Sequence, residues 1–346
     1  MYRGFAAQTE VRQLFRVHFP MRIDSLSRPL RSSWHIEFDG ESGTGSRPAR
    51  NESRNWKPPA AGNSVDRSRS AMYLCPMQFA NVNRSGELAA KRYAETLVAN
   101  SGSAFFWAMR RMLPAKRDAM YAIYAFCREV DDIADEPGET IRKQEALNGY
   151  RRDVERLYRG EEPARATVRA LVRPVLDYGL AESDFNCVID GMMTDAAPSV
   201  RIPDEAALAT YVDRVACSVG RMSCRVFGLD CETGRQLAAS LGSALLLTNI
   251  LRDVREDARR ETVADQPAVD IVCQGLSAKA WDHFAAADKI MSACRPQDIR
   301  PARMMRAVYG KLLERIVGAG FSPFPSERIS VGSFRKACLA LRHGLF

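Results

Sequence analysis

Residues 121–136, YAIYAFCREVDDIADE, constrain the fold more than any other stretch of the chain. They contain no Gly, and no Pro comes before Pro137, so they predict a helix of about four turns. On that helix Tyr124, Arg128, Asp131 and Asp135 fall on one stripe, at i, i+4, i+7 and i+11. Around the stripe stand Ile123, Phe126, Cys127, Val130 and Ile133. A narrow polar stripe in an apolar surround is not an ordinary solvated face. It points into a cavity that uses two carboxylates. Their spacing brings both within reach of shared hard cations, as where Mg²⁺ is held by one or two carboxylates together with substrate phosphates.

A second stretch answers the first. Residues 241–260 read LGSALLLTNILRDVREDARR, with Leu246, Asn249, Asp253 and Asp257 on one face. The first half is almost wholly apolar and must be buried. Each helix carries Asp-x-x-x-Asp at the end of an apolar run, beside an arginine, Arg128 or Arg252. Together they predict opposite walls of one pocket. The ordinary account of such spacing is a solvated helix end with i,i+4 ion pairs, and it is assigned to Glu129, Asp132, Glu136 and Glu256.

No stretch alternates at period two and no G-x-G-x-x-G occurs, so the expected fold is all-α, with helices over most of residues 77–346. Residues 85–99 form an amphipathic helix capped by Ser85. Ser101, Gly102 and Ser103 make a polar turn able to donate to a phosphate, or serve as a simple helix cap. Residues 140–158, 163–178 and 183–195 follow as helices. Gly191 in the last of these admits a neighbouring helix or a substrate chain. Residues 204–227, capped by Asp204, 277–291 and 300–319 complete the set. The tail, ISVGSFRKACLALR, is basic and amphipathic, suited to packing on the bundle or to peripheral contact with a membrane surface.

Residues 1–76 differ in character. Rich in Arg, Ser, Gly and Pro, they lack sustained apolar periodicity and read as disordered or as a non-native upstream extension, with the working start at Met72 or Met77. Glu10, Asp24, Glu37 and Asp39 argue against a transit peptide, and no apolar core of a secretory signal is present. No run reaches the roughly 18 to 20 apolar residues needed to span a bilayer. The nine cysteines form no C-x-x-C pair, which points to free thiols in a reducing cytoplasm. The four histidines do not cluster, which argues against a His-based metal site. The net charge of +8 suits an anionic partner. Without zinc spacing or aromatic-interleaved basic patches, nucleic acid is not that partner.

The phrases YAIYAFCREVDDIAD and LLLTNILRDVREDAR resemble the two signature regions of the squalene/phytoene synthases, the head-to-head isoprenyl diphosphate synthases. The resemblance spans residues 101–319, and VIDGM and HFAAAD are most similar to the presqualene diphosphate synthase branch of hopanoid pathways. It implies a single helical domain of the isoprenoid synthase type around a central cavity. Two farnesyl diphosphates bind there, with Mg²⁺ bridging Asp131, Asp135, Asp253 and Asp257 to the diphosphates and Asn249 completing the metal site. It further implies that Ser103, Tyr124, Arg128, Asn249 and Arg252 help bind diphosphate. Tyr211 matches a tyrosine lining the cavity near the reacting carbons. The sequence departs from the family in three places. Leu246 replaces a common Gln, Ala104 replaces a Ser before Phe105, and a Gly-Arg-x-Tyr-Leu-Pro stretch is missing after Arg260. Phytoene or dehydrosqualene synthesis is the alternative chemistry. A catalytically impaired member that only binds is the alternative of another class. Neither prenyl chain length nor oligomeric state is written in these motifs.

Overall fold

The computed structural model of the chain describes residues 84–100, 104–197, 202, 204–257 and 266–320. In chain order the helices are α1 (Arg84–Asn100), α2 (Ala104–Arg110), α3 (Pro114–Asp135), α4 (Thr140–Tyr158), α5 (Ala166–Arg169) and α6 (Val172–Tyr178). There follow α7 (Glu182–Asp195), α8 (Glu205–Val212), a π-helical turn (Asp213–Cys217), α9 (Ser218–Phe227), α10 (Cys231–Asp257), α11 (Gln266–Ser292) and α12 (Pro296–Gly318). No strand occurs among the described residues. The expected extension at 1–76, the Ser101–Ser103 turn, the stretch after Arg260 and the C-terminal tail lie outside them.

The aspartate helix α3 opens with Pro114 in its first turn, where a missing N–H costs nothing. Its apolar positions Ile123, Phe126 and Val130 are buried, and Phe126 meets Phe185 of α7 edge-on at 5.2 Å. α10 runs through the centre. Leu237, Leu241, Leu246, Leu247, Ile250 and Leu251 are all buried, as expected of a helix apolar on every side. Its hydroxyls are satisfied internally. Ser243 donates to the Ala239 carbonyl at 2.6 Å and Thr248 to that of Ala244 at 2.7 Å. One continuous core joins residues from α1 (Val98) to α12 (Ile316).

The structure divides two expected helices. The 163–178 stretch breaks at Ala170–Leu171 into α5 and α6, because Pro174 has no N–H to give and its ring crowds the carbonyl of Ala170. The 204–227 stretch keeps its Asp204 cap, which accepts from the Ala207 N–H at 2.7 Å, but is interrupted by the π-turn. That turn packs hard against its neighbours. A Cβ at Gly242 would stand 3.2 Å from backbone atoms of Ala216 and Cys217, and one at Gly191 would meet Val215 Cγ1 at 2.3 Å. Gly191 therefore serves helix packing. Arg221 pins the same corner, bonding Asp184 at 2.7 Å and Asp213 at 2.6 Å.

Candidate functional site

The two aspartate helices meet across one apolar cavity. Its lining includes Ile123, Tyr124 and Cys127 of α3, Leu241, Leu246 and Asn249 of α10, and Met305 and Tyr309 of α12. Val215, Ala216, Gly220 and Gly242 form the side where the π-turn crosses α10. An apolar lining of this kind suits an aliphatic ligand.

On the α3 wall the predicted stripe is buried at Tyr124 and Asp131 and half-buried at Arg128 and Asp135. Tyr124 lines the cavity, and Asp131, one turn beyond Cys127, is 7% exposed. Burial pushes the Asp131 carboxyl well above the usual range, and the Asp135 charge pushes it further, while Arg128 pulls it down. Arg128 is held by Asp132, at 2.6 and 2.9 Å, the i,i+4 pairing expected for that acid. Glu129 differs from expectation. It accepts hydrogen bonds from Tyr93 of α1 at 2.7 Å, Thr167 of α5 at 2.6 Å, and Tyr150 of α4. Three helices cover the face that the sequence assigns to solvent.

On the α10 wall Asn249 is 2% exposed. Its side chain hydrogen-bonds the Tyr309 hydroxyl, and its Oδ1 stands as a buried acceptor. Arg252 contacts the neighbouring Asp253 at 2.9 and 3.3 Å. The helix reaches Asp257, whose side chain lies outside the described residues, as does Ser103. Tyr309 was not singled out by the sequence. Its hydroxyl, pushed up by burial, feels Arg252, Asn249 and Asp253 on one wall and Tyr124 on the other. The only signal in the sequence is a hydroxyl-bearing ring one turn after Met305 on a core-facing stripe.

Tyr211 stands apart from the cavity lining. It is 4% exposed, and its hydroxyl donates to both oxygens of Asp195, at 3.0 and 3.1 Å. Asp195 ends α7 and is 2% exposed. Burial raises its carboxyl well above the usual range, the Tyr211 hydrogen bond opposes that, and the Asp135 charge adds to it. Tyr211 is raised by burial, then by Asp195, and also by Asp131 and Asp135. The sequence places Asp195 after Gly191 but gives it no role. Here it shares an acidic corner with Tyr211, whose hydroxyl also feels the charges of Asp131 and half-buried Asp135.

Among the described residues no group of three or more His, Cys, Asp or Glu side chains gathers as a metal cage. The oxygen donors stand instead on two walls, Asp131 and Asp135 on one, Asn249 and Asp253 on the other. Hard oxygen donors few enough to need phosphate oxygens beside them fit Mg²⁺, which keeps an incomplete protein shell. The mutual push between Asp131 and Asp135 is the kind that a divalent cation relieves.

Helical fold, apolar cavity and paired acidic walls define a synthase of isoprenoid type. The squalene/phytoene synthase family matches residues 98–264. The presqualene diphosphate synthase of Zymomonas mobilis is 42% identical over 241 residues, 63% of this chain and 81% of that protein. The presqualene diphosphate synthase of Rhodopseudomonas palustris is 37% identical over 265 residues, 70% of this chain and 94% of that protein. A dehydrosqualene synthase crystallised with ligand superposes with a TM-score of 0.64 at 23% identity, covering 75% of this chain and 97% of that one. The chain belongs to the squalene/phytoene synthase family. Every described cysteine is a free thiol, and no helix among the described residues is long and apolar enough to cross a membrane.

Proposed function

We propose that the chain condenses two farnesyl diphosphates head to head into presqualene diphosphate. The observation that carries the reading is one apolar cavity lined from both aspartate helices, by Tyr124 and Cys127 on one and Leu246 and Asn249 on the other, with Tyr309 between them. The branch is set by the presqualene diphosphate synthases that resemble this chain along most of their length. In the reaction one allylic C–O bond breaks and the diphosphate leaves with the electron pair. The double bond of the second farnesyl chain supplies the electron pair for the first new carbon–carbon bond, and the C–H bond of the attacked carbon then gives up its proton and uses its electrons to close the cyclopropane. Inorganic diphosphate and that proton are the by-products.

Asp131, Asp135, Asn249, Asp253 and Asp257 would hold Mg²⁺, which neutralises charge on the leaving diphosphate when bound. Arg128 and Arg252 add fixed positive charge beside the same oxygens, and Tyr124 and Ser103 complete the diphosphate contacts. Arg128 and Arg252 already rest against Asp132 and Asp253, so each is oriented at the site before ligand arrives. The Leu241, Leu246 and Met305 walls exclude water from the carbocation. Leu246 is 1% exposed and lines the cavity; it makes this part of the pocket apolar.

The test is turnover of farnesyl diphosphate with Mg²⁺ and without NADPH, then phosphatase treatment and mass spectrometry of the alcohols. Presqualene alcohol is the expected product. Diphosphate binding without any product would replace this reading with that of a binding protein. A condensed product from geranylgeranyl diphosphate, formed faster than from the shorter donor, would move the chain to the phytoene branch.

A further inference from the structure

The end of α3 opposite its aspartates is basic. α3 starts there at Pro114, α12 starts there at Pro296, and α9 ends there at Phe227. One groove joins the three helix ends, lined by Arg111, Leu113, Lys116, Phe227, Asp298 and Arg300 among others. Asp131 lies further along α3, roughly 25 Å from Pro114 at the helical rise. That is about three Debye lengths at physiological ionic strength, so the acidic wall does not cancel the field of the groove.

The charges within the groove do not cancel either. Asp298 is paired twice, with Arg295 at 2.8 Å and Lys116 at 3.9 Å. Lys116 also donates to the Phe227 carbonyl at 2.7 Å and is held against the protein. Arg111 and Arg300 are both exposed, and neither pairs with an acid among the described residues. Beside Arg111 stands Leu113, 71% exposed. A lone exposed leucine needs no explanation, but one set beside unpaired arginines combines the two signals that hold a protein at a lipid surface, apolar insertion and basic charge. Ala108, Phe227 and Pro301 line this groove and the apolar cavity alike, so the groove lies directly behind the hydrocarbon end of the site.

We propose that this groove is a docking surface for an anionic phospholipid bilayer, with Arg111 and Arg300 on lipid phosphates and Leu113 in the interface. Docked this way, the chain turns the apolar end of its cavity to the bilayer and holds its aspartates away from the negative surface. The proposal concerns a face remote from the aspartates and stands whatever reaction the cavity performs.

The experiment is co-sedimentation of the full chain with phosphatidylcholine vesicles, with and without phosphatidylglycerol. The wild type should bind the mixed vesicles, bind the neutral ones far less, and be released by salt. Arg111→Gln and Arg300→Gln should each weaken partition about fivefold, the worth of one basic residue at an anionic surface. Leu113→Ser should weaken it at least about threefold. Arg173→Gln, an exposed arginine on α6, should bind as the wild type does, and unfolding midpoints should show all variants folded. A wild type that ignores anionic vesicles, or binds neutral ones equally well, would overturn the proposal. So would a triple variant, Arg111→Gln with Leu113→Ser and Arg300→Gln, that binds as the wild type does, since the contact would then lie on another segment such as the basic tail. A dimer lost in Leu113→Ser, with no vesicle binding by the wild type, would give the face to a second copy of the chain instead.

Discussion

Tyr150→Phe tests whether the back of the aspartate helix is held by a single charged node. Tyr150 and Thr167 both donate to Oε2 of Glu129, and Tyr93 donates to Oε1. Thr167 and Tyr150 are buried, whereas Tyr93 is exposed. The substitution deletes one hydroxyl and keeps the ring, with its edge contact to Phe126 at 6.0 Å and the Arg165 guanidinium 4.5 Å above it. A net hydrogen bond to a charged group is worth about 1.5 to 3 kcal/mol. For a fold of this size that is a drop of roughly 3 to 12 °C in the unfolding midpoint.

Thr167→Val should cost a similar amount. The double variant should fall short of the sum, because both hydroxyls share one oxygen and neighbours that share a partner couple by about 0.5 to 3 kcal/mol. Tyr93→Phe, at the exposed end, should stay within about 0.5 kcal/mol. The assay is calorimetric unfolding of all four variants, with turnover measured well below the midpoint. Glu129 lies on the opposite side of α3 from Asp131, so kcat and KM of Tyr150→Phe should stay within about twofold at such temperatures. An unchanged midpoint would refute the node. A large loss of kcat with an unchanged midpoint would show that this side of α3 reaches the chemistry.

Asp131→Ala and Asp253→Ala should each lower Mg²⁺-dependent turnover by at least about a hundredfold, the scale of losing one transition-state charge partner, with little loss of folding; normal turnover in either would remove that wall from the site. Without divalent cation, the unfolding midpoint should fall as pH rises from about 5 to 8. Asp131 and Asp195 are raised in the fold, chiefly by burial, so what they contribute is present below the unfolded value near 4 and lost as pH climbs through the folded one. His283, pushed down by burial, works the other way and loses stability as pH falls. Asp131→Asn should flatten the slope, and a wild-type midpoint that rises over the interval would contradict the assignment. A chain beginning at Met77 should keep both midpoint and turnover, since the described core closes on residues from Val98 onward; collapse of either would make residues 1–76 part of the domain.

The features read most directly from the sequence are those written in local chemistry. α4 begins and ends where Pro137, Gly138 and Gly160 bracket it, and Asp204 caps α8 because its side chain needs only the next turn. Both aspartate stripes were visible because helical period and charge coincide on them. Gly234, Gly242 and Gly275 all sit inside long helices. At Gly242 the reason is a backbone crossing too close for a side chain, and that distance depends on a partner far away in sequence. Glu129 and Tyr309 were missed for the same reason. Their neighbours come from α1, α4 and α5 in one case and from α3 and α10 in the other, and no local pattern records them.

The acidic corner ties these strands together. Asp131, Asp135, Asp195 and Tyr211 come from three helices, and the raised carboxyls of Asp131 and Asp195 show that burial disfavours their charged forms. Arg128 relieves Asp131 only in part, since its own guanidinium is bound to Asp132. Such a corner is unfavourable in the free protein and becomes favourable when positive charge enters. Buried acids with perturbed titration cluster at working sites. Ligand that binds only the folded chain then adds about 2.7 kcal/mol at a hundred times its dissociation constant. The cation and diphosphate would therefore stabilise the site as well as serve it.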